Sequence, residues 1–200
     1  GLPIAPGTLR NLKKCPIGDR NWTDESRELF IRLLASGPAL LNVWEDIDFI
    51  DVPGKLIPEW LGVRNRPSAS AAHRYTIDRH MVEVVTRLGR ETPSGGRYDD
   101  RHYEALLLAG ILHDIGKRPG VANHAAEGAR HATVVVERMG FDRDIVRWVT
   151  LLVREHLTLS EFATGRNPND PNVGDDLAGR LDHNPVLLDM LFDLTRADGS

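Results

Sequence analysis

Six residues at five places in the chain could share a cation: His80, the vicinal pair His113-Asp114, His124, His156 and Asp198. Imidazole and carboxylate together suit divalent Mn, Fe, Zn or Mg, and donor softness does not choose among them. The His113-Asp114 pair is the most unusual of the five. It follows directly on Ala105 to Leu112, the longest apolar run of the chain. A buried, unpaired carboxylate is costly and would need a cation or several donors. Taken alone, the pair reads equally well as a helix C-terminus whose His caps carbonyls and whose Asp points to water. The other four places change that balance: His80, His156 and Asp198 fall on or beside an apolar helical face, and His124 stands at a helix start.

Thr76 is expected to open a helix in which Ile77, Met81, Val84, Val85 and Leu88 recur at the helical period, with His80 at the edge of the stripe. Asp99 or Asp100 caps the helix that ends at His113-Asp114, and Gly116, Pro119 and Gly120 make the turn after it. Asn123 caps a helix from His124 to Met139, closed by Gly140. Asp142 caps the next, where Ile145, Val149, Leu152 and His156 advance by 4, 3 and 4. Pro185 suits the first turn of a final helix in which Leu187, Leu191, Leu194 and Asp198 advance in the same way. A lone inward His is more often a hydrogen-bonded core residue than a ligand, and an inward Asp is usually paired, here with Arg196 nearby. Taken together these buried polar groups all need partners, and a shared cation satisfies them at once. His102, His131 and His183 read as bland surface or loop residues.

The first third carries no chemistry of its own. Residues 1–22, with Pro3, Pro6, Gly7, Pro16 and Gly18, read as a linker. Residues 23–75 read as a helical extension: a helix capped by Thr23, another from about Pro38 to Ile50 that Pro53-Gly54 breaks, a short turn near Leu56 to Leu61, and a loop from Arg64 to Ala72. Gly89 to Tyr98 and Gly165 to Asn172 are expected loops. Hardly any stretch alternates at period two, so the fold class is all-α, without internal repeats. A 200-residue chain with 41% hydrophobic residues can bury a core, and a net charge of −4 gives no footprint for nucleic acid or anionic membrane. No apolar run approaches membrane-spanning length. A single cysteine, Cys15, excludes an intrachain disulfide and fits a cytoplasmic location. The chain is expected to be a piece of a longer protein. Asp198 stands two residues from its end, where helix ends fray.

The order His80, His113-Asp114, Asp198 resembles the HD superfamily of metal-dependent phosphohydrolases, and His124 and His156 match its members that hold two metals. The surrounding runs are closer still to the HD domain of the bifunctional PII uridylyltransferase/uridylyl-removing enzymes. They include His73 to His80, Leu106 to Lys117, Asn123 to Ala129, Val149 to Ser160, Asn169 to Val173 and Leu194 to Asp198. The resemblance spans roughly residues 25 to 198. It departs at Val121-Ala122-Asn123-His124, where that family often has a Gly-Gly-Asp-His type of run.

The resemblance implies an HD-domain helical bundle over residues 76–200 with the N-terminal helical extension before it. It also implies that the nucleotidyltransferase and two ACT domains of the same chain lie outside this sequence. The implied reaction is metal-dependent removal of a nucleotide, UMP or AMP, from a modified tyrosine of a PII nitrogen-signalling protein. The implied ligands of a first metal are His80, His113, Asp114 and Asp198. His124 and His156 would hold a second metal or the phosphate. Mn2+ or Mg2+ is the expected ion, with Fe2+ or Zn2+ as further candidates. Lys117 either neutralises a phosphate oxygen or is a solvated loop residue. Two other readings remain: an HD phosphohydrolase acting on free nucleotides, and a non-catalytic metal-binding regulatory module.

Overall fold

The computed structural model describes residues 4–16, 22–67, 75–90, 99–166 and 171–199. Among them every regular element is helical, apart from an isolated bridge between Pro67 and Thr76. The helices are α1 (Pro6–Lys14), α2 (Asp24–Leu34), α3 (Ala39–Phe49), α4 (Val52–Leu56), α5 (Ile77–Arg90), α6 (Asp100–Leu112), α7 (His124–Arg138), α8 (Arg143–Glu155), α9 (Thr158–Gly165), α10 (Pro171–Arg180) and α11 (Pro185–Asp198). A 3-10 helix, Pro58–Gly62, follows α4. No described helix is long and apolar enough to cross a membrane.

Helix α6 is the central post. Every residue from Ala105 to Gly116 is buried. The helix packs against α5, α8, α11, α2 and α7, as expected of a helix that is apolar all round. Its neighbours are amphipathic and turn one stripe to it. In α5, Ile77, Met81, Val84, Val85 and Leu88 are buried, and in α8 so are Ile145, Val149 and Leu152. Side-chain caps start these helices where the sequence placed them. Asp99 accepts from His102 N, Asn123 from Ala126 N, and Asp142 from the N–H groups of Asp144 and Ile145. Gly140 closes α7 with a positive φ of 78°.

Three expectations need correction. The segment read as a linker contains α1, with Pro6 in its first turn and Leu9 and Leu12 packed on the core. The second helix ends at Ile50 as expected, but Pro53-Gly54 does not break it: Asp51 takes a left-handed φ of 65°, and the Pro-Gly pair lies inside α4. Proline is tolerated there because a first-turn N–H has no helical acceptor. Helix α5 runs through Gly89 to Arg90, into the expected loop. Much of that loop, residues 91–98, lies outside the described residues, as do residues 68–72 of the expected loop before α5 and residues 167–170 of the one after α9.

The N-terminal helices and the bundle share one hydrophobic cluster, in which Phe30, Leu34 and Trp44 join Leu106 and Leu107. Trp44 and Trp60 meet edge to face, with centroids 5.3 Å apart. At the rim, Arg138 on α7 donates to both oxygens of Glu59, at 2.9 and 2.6 Å. Burial pushes the Glu59 pKa up, but Arg138 outweighs it and holds the carboxyl below its ordinary value. A depressed carboxylate stabilises the fold above its unfolded pKa, and that contribution is lost as pH falls through the folded one. Because the Arg138 side chain is 37% exposed, Arg138→Ala is expected to cost no more than about 1 kcal/mol near neutrality. Denaturant titrations should find the difference from wild type at pH 7 and its disappearance below the carboxylate range.

Candidate metal centre

Four helix termini converge below α6. His113 is the C-cap of α6 and His156 the C-cap of α8, so each ring leaves its helix just where the apolar stripe ends. Asp114 follows His113, His124 is the first residue of α7, and Asp198 is the last of α11. His80 lies one turn into α5. His113, His156 and Asp114 are buried almost completely, at 0%, 1% and 3% exposure. The side chains of Asp198 and His124 are 22% and 28% exposed, so the group is open on their side.

Two trios form. The ligand atoms of His80, His113 and Asp198 lie within 4.8 Å of one another, and so do those of Asp114, His124 and His156. In the first, His80 Nε2 donates to Asp198 Oδ1 at 2.6 Å, and His113 Nε2 lies 3.5 Å from the same oxygen. In the second, Asp114 Oδ1 lies 3.8 Å from His124 Nε2 and 3.7 Å from His156 Nε2. Asp114 Oδ2 is 3.7 Å from His113 Nε2. One carboxylate therefore faces both trios. Asp114 thus stands with His124 and His156 through Oδ1 and reaches the expected set of His80, His113 and Asp198 through Oδ2.

Backbone carbonyls aim the rings. His113 Nδ1 donates to Gly110 O at 2.9 Å, and His156 Nδ1 donates to Val153 O at 2.7 Å. Such a bond fixes the ring and turns Nε2 inward, the arrangement in which a ligating His is oriented by its other nitrogen. His113 Nε2 is buried without a hydrogen-bond partner. Burial works against charge on His113, yet Asp114 and Asp198 outweigh it and push its pKa up to about 9. Burial and the nearby His113 push His156 down to about 4. Burial alone would raise both carboxyls; His113 and Lys117 hold Asp114 low, and His113 and His80 hold Asp198 low. The cavity thus attracts positive charge at its centre while keeping a neutral, lone-pair-bearing imidazole at His156. These donors fit a divalent cation.

Lys117 Nζ donates to Asp114 Oδ2 at 3.0 Å, so its side chain folds back onto the centre and does not extend into solvent. Helix α11 continues through Asp198, and His80 holds its carboxylate. His102 stacks on Trp148 with centroids 4.1 Å apart, His131 pairs with Glu127 at 3.0 Å, and His183 is exposed in a turn. His73, Asn169 and Asp170 lie outside the described residues.

Sequence reasoning passed over the group beside His156. Glu155 is 6% exposed; it accepts from Thr158 Oγ1 at 2.7 Å, from Arg154 Nε at 2.9 Å and from an Arg180 nitrogen at 3.2 Å. Its step of three from Leu152 was the available signal, since that places it beside the apolar face.

No family model matches the chain. Over 199 residues, 99% of the chain, it is 35% identical to the bifunctional uridylyltransferase/uridylyl-removing enzyme of Mycobacterium tuberculosis. It is 36% identical over 201 residues, again 99% of the chain, to the enzyme of the same name from Streptomyces coelicolor. The chain is a relative of one part of these bifunctional enzymes. The enzyme of that name from Caulobacter vibrioides is 35% identical over 181 residues, covering 84% of the chain. The matches take up 24%, 23% and 19% of the three bifunctional enzymes, so the chain spans about a quarter or less of the curated relatives it matches.

Proposed function

We propose that this chain is a uridylyl-removing module. It hydrolyses the phosphodiester between a nucleotide, UMP or AMP, and a tyrosine of a PII nitrogen-signalling protein, with a divalent cation. The observation that carries this reading is the pair of inward His/Asp trios, with Asp114 of the second facing His113 of the first and the Nε2 of His113 buried without a hydrogen bond. The relatives' name, which includes uridylyl removal, supports the choice of reaction.

His80, His113 and Asp198 would hold one cation, and Asp114, His124 and His156 a second, with Asp114 facing both. His80 and Asp198, which now share a hydrogen bond of 2.6 Å, would turn those atoms to a cation in the first trio. Mn2+ and Mg2+ are the first candidates, and Fe2+ and Zn2+ share the donor set. A bound divalent ion neutralises phosphate charge and lowers the pKa of its water from about 16 to about 7. The chain's own part is positioning. The carbonyls of Gly110 and Val153 fix two imidazoles, and Lys117 offsets the charge of Asp114. In the reaction a water oxygen bonds to phosphorus and the bond from phosphorus to the tyrosine oxygen breaks. The electron pair leaves on that oxygen, the phenolate takes up a proton and the nucleoside monophosphate is released. A phenol with a pKa of about 10 is a tolerable leaving group. The exposure of His124 and Asp198 favours this catalytic reading over a closed structural site.

The test is release of UMP from uridylylated PII by the purified chain supplied with Mn2+ or Mg2+. Stripping the metal with a chelator should stop release, and returning it should restore release. Undiminished release from the stripped protein would sink the proposal.

A further inference from the structure

Beside the two trios lies a polar cleft of about 500 Å³, within the size range of small-ligand sites. His124 lines it and also belongs to the second trio, so the cleft opens directly off the proposed reaction centre. Its floor is the first turn of α7, and its far wall carries Arg154, Thr158, Glu161 and Arg180.

The two arginines are held in place. Arg154 and Arg180 both donate to the buried Glu155, from opposite sides along the chain. Arg180 also donates to Asp176 at 3.2 Å and sits 5.4 Å from the centre of the Phe162 ring. Thr158 Oγ1 donates to the same carboxylate at 2.7 Å and completes the anchor. Each guanidinium has five N–H donors and spends only some of them on these anchors. Their side chains remain 48% and 39% exposed, which leaves donors facing the cleft. Glu161 on the same wall is exposed and contributes acceptors.

The charges in the cleft nearly cancel, with Arg154 and Arg180 set against Glu155 and Glu161. A pocket for a second phosphate or a polyphosphate would carry a clear positive excess. Fixed donors mixed with carboxylate acceptors suit instead a neutral group rich in carbonyls, ring N–H and hydroxyls. We propose that this cleft seats the nucleoside of the scissile nucleotide, with Arg154 and Arg180 donating to base carbonyls and Glu161 accepting from N–H or hydroxyl groups. The proposal rests on the hydrolytic reading above and extends it: the phosphate lies at the trios and the nucleoside runs past His124 into the cleft.

Two substrates separate the possibilities in the metal-loaded chain: the 4-nitrophenyl ester of UMP, and bis(4-nitrophenyl) phosphate, which has no nucleoside. Arg154→Ala, Arg180→Ala and the solvent-facing Glu161→Gln are compared with wild type, and UMP binding is measured by calorimetry. Each variant is expected to lose about tenfold to a hundredfold in kcat/KM on the UMP ester, the range for one lost charge-assisted hydrogen bond. Each should change less than about twofold on the nucleoside-free diester, whose turnover depends on the trios alone. UMP affinity should fall in parallel. Equal losses on both substrates would make the arginines structural and overturn the proposal. So would unchanged kinetics on both, or losses seen only with intact uridylylated protein, which would give the cleft to the protein partner. If wild type hydrolyses neither ester with any metal, the hydrolytic reading fails; UMP binding that is lost in Arg180→Ala and Glu161→Gln would still uphold the nucleoside site.

Discussion

Asp114→Ala is expected to lower metal-dependent hydrolysis by at least about 10³-fold, because a catalytic cation supplies several kcal/mol of charge stabilisation and each 1.36 kcal/mol is tenfold in rate. The reason lies in the position of this one carboxylate. Its Oδ1 faces His124 and His156, and its Oδ2 faces His113 and Lys117. Removing any single histidine would thin one trio, whereas removing Asp114 takes an anionic donor from the place where the two trios meet. It also takes away the largest influence raising the proton affinity of His113 and leaves Asp198 as the remaining carboxylate that does so, so the site's preference for positive charge weakens. The fold does not depend on it: α6 is held by the apolar residues from Ala105 to Leu112. Elemental analysis should therefore find the divalent ion depleted while circular dichroism finds the helices intact. A variant that keeps both its metal and its turnover would remove Asp114 from the centre.

The same logic explains what could be read from the sequence. His156 and Asp198 were legible because each continues an apolar stripe in helical register, and a polar residue in such a line must point inward. His113-Asp114 was legible because it ends a run too apolar to be anything but buried. The caps at Asp142 and Asn123 were legible because short polar side chains before a periodic run have one physical use there. Helices α9 and α10 were not flagged. They are 8 and 10 residues long and carry glycines, so too few turns exist for a period to show. Helix α1 was hidden by Pro6 and Gly7, which signal a break unless the proline happens to open the helix. The cluster of Arg154, Glu155 and Arg180 was invisible for a different reason. Arg180 lies 25 residues from Glu155 in sequence, and charged residues on a helix surface are ordinarily solvated. Only the fold, which brings Arg180 at the end of α10 to Glu155 at the end of α8, turns them into one group. Lys117 was ambiguous because nothing in a turn sequence says which way a long side chain folds back.

Gly116 shows how strictly that packing sets the centre. The sequence suggests only a turn residue, yet its φ is not positive, and the constraint is space. A Cβ on Gly116 would lie 2.3 Å from Gly128 N and 2.3 Å from His124 O. Both are backbone atoms of α7, so no rotamer change can relieve the overlap, and α7 would have to move as a unit. Its first residue is His124, and Asp114 stands two residues before the clash. Displacing α7 therefore widens the 3.8 Å gap between the ligand atoms of Asp114 and His124. Gly116→Ala is expected to cost about 1–3 kcal/mol by overpacking. That should lower the melting temperature by about 2–12 °C for a chain of this size. Metal affinity should fall about tenfold to a hundredfold, as when the support of a ligand is lost. Gly120→Ala is the matched control. Gly120 has a φ of 79°, but nothing lies within 4 Å of its Cβ position. Alanine there is expected to cost about 1–2 kcal/mol of backbone strain with metal binding unchanged. Thermal melts and metal titrations of the two variants separate crowding from strain: if Gly116→Ala melts and binds metal as Gly120→Ala does, the close approach of α7 does not control the site.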